Sequence, residues 1–474
     1  MNSEERSQKS KQTNDPSIGK ILLFSMGYFF SGFLIVGFGS FVWHYYEAEL
    51  NIISITSLWP ILLAIINVIY TIFSMVTNPI IGYFTDRPMK WTRKWGYHTP
   101  WIVIGGVPAS IFFFLFFLPH NINGIESVLP ILIYYLIILC LYDLSNSLYQ
   151  THSFGAFPAH FRGDKNRRVA GTITQIFIFL ANFVAMTLWS QIIVPGVAFT
   201  FTIAAFLSFI LIIISLLFFI PGSKESEFLK EQFILGYQTS EKRSFFKTMI
   251  LGIKQKNFML VILTYICFMI SLGLSSMNSV NFIDDVLNES QTIRSWGSVI
   301  MLISSIASMP LWILVAKKLG HSNTYVIGLI FFGFTFLSNM FITSALGYYI
   351  VTLISGTSGA MFTIMLSPVF ADCYDQVTVK TKKHLEATLI GVRNFFLKIS
   401  VSVQSFIVAL VHSFTFYNPN APIHTENAIL GLRMISGFFP FLICVIGALI
   451  FYKWFDLKGM KKQEIVKKLQ ELGI

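Results

Sequence analysis

The sequence predicts an all-α membrane protein of twelve transmembrane helices in two six-helix bundles, with both termini cytoplasmic. Three observations carry this expectation. Of 474 residues, 54% are hydrophobic and only 12% charged, with 49 phenylalanines, whereas soluble domains carry roughly 25% charged residues. Apolar runs near the ~20 residues that cross a bilayer recur along the whole chain. The basic residues gather in alternate loops, as expected where cytoplasmic loops are enriched in Lys and Arg. The net charge of +11 is therefore a topology and lipid signal and does not indicate a nucleic-acid partner.

Taken in order, residues 1–17 form a polar, disordered tail. The first apolar run is too long for a signal-peptide core and lacks an A-x-A cleavage site, so it is an uncleaved first span. Twelve spans are expected at about 18–46, 57–84, 100–118, 130–154, 168–190, 197–220, 257–281, 296–316, 323–343, 347–371, 386–412 and 428–455. With the N-terminus inside, the even loops hold Arg87 to Lys94, then Arg162, Lys165, Arg167 and Arg168, then Lys224 to Lys256, Lys317 and Lys318, and Lys380 to Lys383. The odd loops hold Glu47, Glu49, Glu126, Asp284, Asp285, Glu289 and Glu426, with Arg294 as their one clear base. Span count and charge bias agree with each other.

The longest hydrophilic stretch between spans is the cytoplasmic central loop 221–256. It separates an N-terminal six-helix bundle, 18–220, from a C-terminal one, 257–456. Residues 457–474 form an amphipathic cytoplasmic tail, with Ile465, Leu469 and Leu472 on one face, suited to the inner membrane surface. Cys140, Cys267, Cys373 and Cys444 are scattered without a C-x-x-C and are small apolar side chains rather than disulfides or metal ligands.

No H-E-x-x-H, G-x-S-x-G or P-loop is present, so an enzyme is not expected, nor is a cofactor or a metal centre. Chemistry must come from polar groups inside the membrane. Asp143 is the one carboxylate well inside a span and Lys398 the one lysine so placed. A charge at mid-bilayer costs about 2.5–3.5 kcal/mol on insertion scales and is normally paired or faces a cavity. Asp143 lies eleven residues before Phe154 and Lys398 twelve after Glu386, the inner ends of their spans, so the two sit at similar depth. Two independent charges, each solvated in a cavity, are the plainer alternative. Asn146, Ser147 and Gln150 follow Asp143 on one helix face, and Asn394 precedes Lys398 by one turn. Such stripes line aqueous cavities, although single amides also serve as glue between helices. Phe154, Trp189, Trp43 and Trp59 are able to stack on a sugar ring, and equally to pack or to anchor at the interface.

Several segments carry a family signature. These are N-P-x-x-G-x-x-x-D-R from Asn78 to Arg87 with W-G-x-x-x-P-W from Trp95 to Trp101, then Pro158 with Gly163-Asp164-Lys165 and Arg167-Arg168, then Ala371-Asp372 with Asp375, Lys398, and Gly431-Leu432 with Phe455-Asp456-Leu457. Together they resemble the glycoside–pentoside–hexuronide:cation symporters, the melibiose permease relatives of the major facilitator superfamily, over nearly the whole chain. The resemblance implies two six-helix bundles that alternate access to a sugar site between them. It implies that Asp86, Arg167, Arg168, Asp372 and Asp375 form a cytoplasmic gate. At the places of the family's coupling acids and cation ligands stand Gly32, Ser74, Asn78 and Gln150. Phe154 takes the place of the sugar-stacking aromatic and Asn394 that of a cation-site hydroxyl. Lys398 is retained. Na⁺ favours oxygen ligands with a carboxylate among them, so Na⁺ coupling is not expected, and proton coupling or uniport takes its place.

The expected protein is thus a multi-pass integral protein of the cell membrane that moves a small polar solute, a sugar or glycoside, by alternating access. The expected substrate-binding residues are Lys398, Asp143, Asn146, Gln150, Phe154 and Asn394; its partners are the solute, a coupling proton and membrane lipid. Two other readings are open. One is a carrier of lysophospholipid or another amphipathic anion. The other is a sensor or scaffold that binds a solute without moving it.

Overall fold

The computed structural model describes residues 17–85, 88–120, 122–161, 164–194, 196–239, 250, 252–381, 386–421 and 423–471. They are helical, with no strand among them. The spans are Ile18–Gly37 with a continuation to Ser54, Trp59–Thr85, Thr99–Leu115, Val128–His160, Asp164–Ile192, Ala198–Ser223, Lys256–Met277, Thr292–Leu319, His321–Leu337, Ala345–Thr381, Glu386–Leu397 with Ile399–Phe414, and Glu426–Arg433 with Phe439–Trp454. Eleven are long and apolar enough to cross a membrane; the third, Thr99–Leu115, is a shorter apolar helix. The chain is an integral multi-pass membrane protein.

The first span packs on the fifth and sixth, the third on the fourth and sixth, and the second on the fourth. In the second half, the eighth packs on the tenth, and the ninth and seventh on the twelfth. The second span meets the eleventh, and the fifth meets the eighth, where the halves adjoin. In lipid the drive for this assembly is close packing rather than escape from water. Small residues permit the close approach. A Cβ at Gly105 of the third span would stand 2.6 Å from the backbone N of Tyr149 in the fourth. Aromatic rings fill the rest: Phe41 stacks on Trp189 at 4.4 Å between centroids, and Phe268 on Phe362 at 3.8 Å.

Several helices outrun their expected ends. The fourth extends to His160 and the fifth begins at Asp164, so Lys165, Arg167 and Arg168 lie in a first helical turn rather than a loop. The tenth continues to Thr381 and carries Asp372 and Asp375 on its last turns. In the central stretch the sixth span runs to Ser223, and a further helix, Glu227–Thr239, follows. The Glu225 carboxylate accepts the backbone N–H groups of Tyr97 and His98, and Tyr97 stacks on Phe233 at 3.5 Å. Burial raises the Glu225 pKa and lowers that of His98 to about 3. The loop before the third span is thereby fastened to the start of the central stretch.

Two further expectations change. The tail helix, Met460–Glu471, docks on the protein: Ile465 packs against the core of the second half, and Lys462 pairs with Asp372 at 2.7 Å. Leu469 and Leu472 lie outside the described side chains. Glu47 and Glu49, expected in a loop, sit in a π-helical turn, Tyr45–Glu49, that prolongs the first span; Glu47 is fully buried. Further π turns occur at Phe38–Val42, Phe282–Val286 and Met434–Phe438, all toward the end of the molecule that carries the odd loops, here called the acidic end. Such turns re-aim side chains and recur at functional sites.

Candidate functional site

The site is built around Asp143, near the middle of Val128–His160 and only 3% exposed. Lys398 of the other half donates from Nζ to Asp143 Oδ1 at 2.7 Å. The eleventh span runs through this point as Glu386–Leu397 and Ile399–Phe414, with Lys398 between them in right-handed helical backbone. Two hydroxyls of the second span complete the carboxylate's partners. Tyr70 donates to Oδ1 at 2.9 Å and Ser74 to Oδ2 at 2.7 Å, while the Asn78 amide donates to the Ser74 hydroxyl at 3.4 Å. Tyr70, Ser74 and Asn78 are spaced so that one helix face presents all three. An ionised carboxylate accepts at both oxygens, and here each oxygen has a donor.

Around the pair, Tyr135 donates to the Asn67 side chain at 3.3 Å, and Ser402 of the eleventh span donates to the Asn67 carbonyl at 3.4 Å. Exposure rises along both polar stripes toward the opposite, basic end. On the fourth span it runs from Asp143 through partly buried Asn146 and Gln150, which bond each other at 3.4 Å, to Phe154, which is 40% exposed. On the eleventh, Lys398 is 26% exposed in its side chain and Asn394 lies exposed one turn away, accepting from Arg393 at 3.3 Å. Side-chain exposure thus increases from the ion pair toward the basic end. The Phe154 ring lies 5.2 Å from that of Tyr28.

The acidic end is sealed by contacts between the halves. Ser40 bonds Ser276 at 3.1 Å, His44 bonds Asn281 at 2.6 Å, Glu47 bonds His412 at 2.6 Å, and Ser190 bonds Ser295 at 2.7 Å. Asn420 donates to the Ala48 carbonyl at 2.9 Å.

Of the residues singled out in the sequence, Asp143, Lys398, Ser74 and Asn78 come together. Asn146, Gln150, Phe154 and Asn394 follow toward the basic end on the same two spans. Gly32 stands apart. A Cβ there would lie 3.0 Å from the Ile178 carbonyl and 3.1 Å from Ala181 Cβ, and the Asn182 amide, turned with its NH2 toward the backbone, donates to the Gly32 carbonyl at 3.2 Å. Gly32 is a packing position between the first and fifth spans rather than a place for a cation ligand. Asp86 and the side chains of Arg167 and Arg168 lie outside the described residues, and Asp372 takes Lys462 as described above. Sequence reasoning missed Tyr70, which a one-turn step back from Ser74 would have flagged. It also missed the buried Glu47–His412 pair, because Glu47 looked like a loop residue.

Comparisons with known proteins agree with this architecture. Residues 23–458 match the model of a family described as MFS/sugar transport protein. A Danio rerio protein named sodium-dependent lysophosphatidylcholine symporter 1-A is 21% identical over 436 residues, covering 85% of this chain and 80% of that protein. The uncharacterized symporter YjmB of Bacillus subtilis is 22% identical over 413 residues, covering 84% and 85%. Among solved structures, a peptide transporter POT in complex with sulfate superposes with a TM-score of 0.61 at 15% identity, covering 98% of this chain and 99% of that one. The nucleoside transporter NupG does so with a TM-score of 0.60 at 15% identity, covering 93% and 100%. The chain belongs to the MFS/sugar transport protein family and is a membrane transporter of the major facilitator type.

Proposed function

We propose that the chain carries a small polar solute, a sugar or glycoside, by alternating access, with the Asp143–Lys398 pair at the floor of its binding cleft. The observation that carries this reading is the 2.7 Å ion pair between halves, flanked by Tyr70, Ser74, Asn146 and Gln150. Transporters of this plan bind near the midplane, where their two halves meet. The amides and hydroxyls suit a polyol, and Phe154 offers a ring face. A substrate group that takes Lys398 releases Asp143, which then accepts a proton; that links solute to proton without the family's usual acids. The bundles 18–220 and 257–456 are the moving bodies, the acidic end faces outward, and both termini are cytoplasmic. Asp86, Arg167, Arg168, Asp372 and Asp375 then belong to the inner gate.

The test is uptake of glycosides into vesicles under imposed proton or Na⁺ gradients. Uptake driven by the proton gradient, or by the solute gradient alone, supports the reading. A Na⁺ gradient that drives uptake severalfold overturns the coupling assignment. Cysteines introduced in 87–99 and 224–250 should label from the cytoplasm and those in 283–292 from outside, which checks the orientation.

A second reading has one specific observation behind it, the similarity to a protein named for lysophosphatidylcholine transport. In that reading Lys398 holds a phosphate headgroup and the apolar walls hold the acyl chain. Thermal-shift screening against glycosides, sugar acids and lysolipids separates the two, since stabilisation by a ligand follows its affinity for the folded state.

A further inference from the structure

The seal at the acidic end is built from titratable groups. Glu47, less than 1% exposed, takes the Trp43 indole N–H at 2.7 Å on one oxygen and His412 Nδ1 at 2.6 Å on the other. His44 Nδ1 meets the Asn281 amide oxygen at 2.6 Å, and its Nε2 meets Glu49 at 3.2 Å. Both ring nitrogens thus face oxygen atoms, a pattern that the doubly protonated imidazolium satisfies. Asp285 takes His424 at 3.1 Å and the Tyr417 hydroxyl. Asp284 accepts from Gln291 at 2.6 Å, and Gln291 in turn accepts from Arg294 at 3.2 Å. Arg294 is 3% exposed, lies over the Phe41 ring and has Tyr348 beside it.

Glu49, Glu47 and Asp285 each have a histidine nitrogen within hydrogen-bond reach, His44, His412 and His424 in turn, and Asp284 lies beside Arg294. Glu49 Oε2 has no hydrogen-bond partner, so the site keeps one unfilled acceptor. The members come from the first, seventh, eighth and eleventh spans and the loop after the eleventh, so parting the halves dismantles it.

We propose that the acidic end is a proton-binding site, in which sealing brings its histidine–carboxylate pairs together and takes up protons there, so that acid in the compartment it faces holds the chain sealed on that side. The ligand is the proton itself, and the site is separate from Asp143. The inference rests on alternating access of the two halves, not on any substrate or on coupling at Asp143. Asp284 acts in the same direction: burial pushes its carboxyl up to about 6. A carboxyl raised in the sealed form favours that form at low pH, and the contribution fades as pH climbs through about 6.

The experiment uses the purified full chain in nanodiscs without substrate. Spin labels at Leu58 and Leu346, exposed positions on opposite halves at the acidic end, report the distance across the seal between about pH 5.5 and about pH 8, the range in which histidines titrate. The expected result is a rise of about threefold or more in the open-to-sealed ratio at the higher pH, and a response at least halved in Glu47→Gln/His412→Gln. Should that double variant fail to fold, His424→Gln at the rim of the site serves as the second readout, again with a reduced response. A smaller or opposite change in the wild type, or a full response in the variants, overturns the proposal. Loss of transport with the distance response intact would instead implicate the Asp143 site, which keeps the two failures apart.

Discussion

Replacing Lys398 by Gln removes the ammonium from a carboxylate whose side chain is 4% exposed. Asp143 then keeps only the Tyr70 and Ser74 hydroxyls. Removing one partner of a buried pair costs about 3–5 kcal/mol, because the other charge stays uncompensated. The reverse change, Asp143→Asn, should cost less. The Lys398 side chain is 26% exposed and can turn its ammonium into the cleft, so the loss is closer to that of a charged hydrogen bond, about 1.5–3 kcal/mol. In the double variant neither charge is stranded, so the combined cost should fall short of the sum by about 0.5–3 kcal/mol. The assay is a double-mutant cycle on chemical unfolding in detergent, run beside substrate binding. Stability should recover in the double variant while transport stays lost, since neither charge is left to meet the solute. Additive costs, or Asp143→Asn proving the more damaging single change, would refute both the coupling and the exposure argument.

Ser74→Ala and Tyr70→Phe each remove one donor from Asp143; each should cost about 1–3 kcal/mol of stability, with reduced solute affinity measured by binding calorimetry. Restoring an acid at the first-span position, Gly32→Asp, should not create Na⁺ dependence. With the Ile178 carbonyl 3.0 Å from the new Cβ, overpacking alone costs about 1–3 kcal/mol, and melts with and without NaCl should be equally lowered. Lys462→Ala should free the tail helix at a cost of about 0–1 kcal/mol, seen as faster proteolysis after Trp454 with global stability nearly unchanged.

Much of the fold was legible because lipid allows few solutions: every backbone group must be paired within its own helix, so apolar length and loop charge suffice to place spans. The Asp143–Lys398 pair was legible for the same reason, since two charges at one depth are costly apart. What stayed hidden depended on contacts distant in sequence. The helical continuation past residue 46 is held by Glu47 meeting His412 and Trp59 donating to the Tyr46 carbonyl, and nothing local announces either. Gly32 stood at the expected alignment position, yet its neighbour is the fifth span and not the cleft. Tail docking likewise rests on Ile465 and Lys462 finding the tenth span, which amphipathicity alone does not distinguish from a lipid surface.

One helix joins the ion pair to the seal, which makes a lever of the eleventh span. Ile399–Phe414 is one uninterrupted helix with the ion pair at its inner end and His412 near its outer end. The arm between them measures about 21 Å at the rise of an α-helix. A swing of about 10° at the pivot carries the tip about 4 Å, more than a hydrogen bond can stretch. An event that only turns Lys398 away from Asp143 is thus magnified along one rigid arm into rupture of the Glu47–His412 contact, with no relay of side chains needed between them.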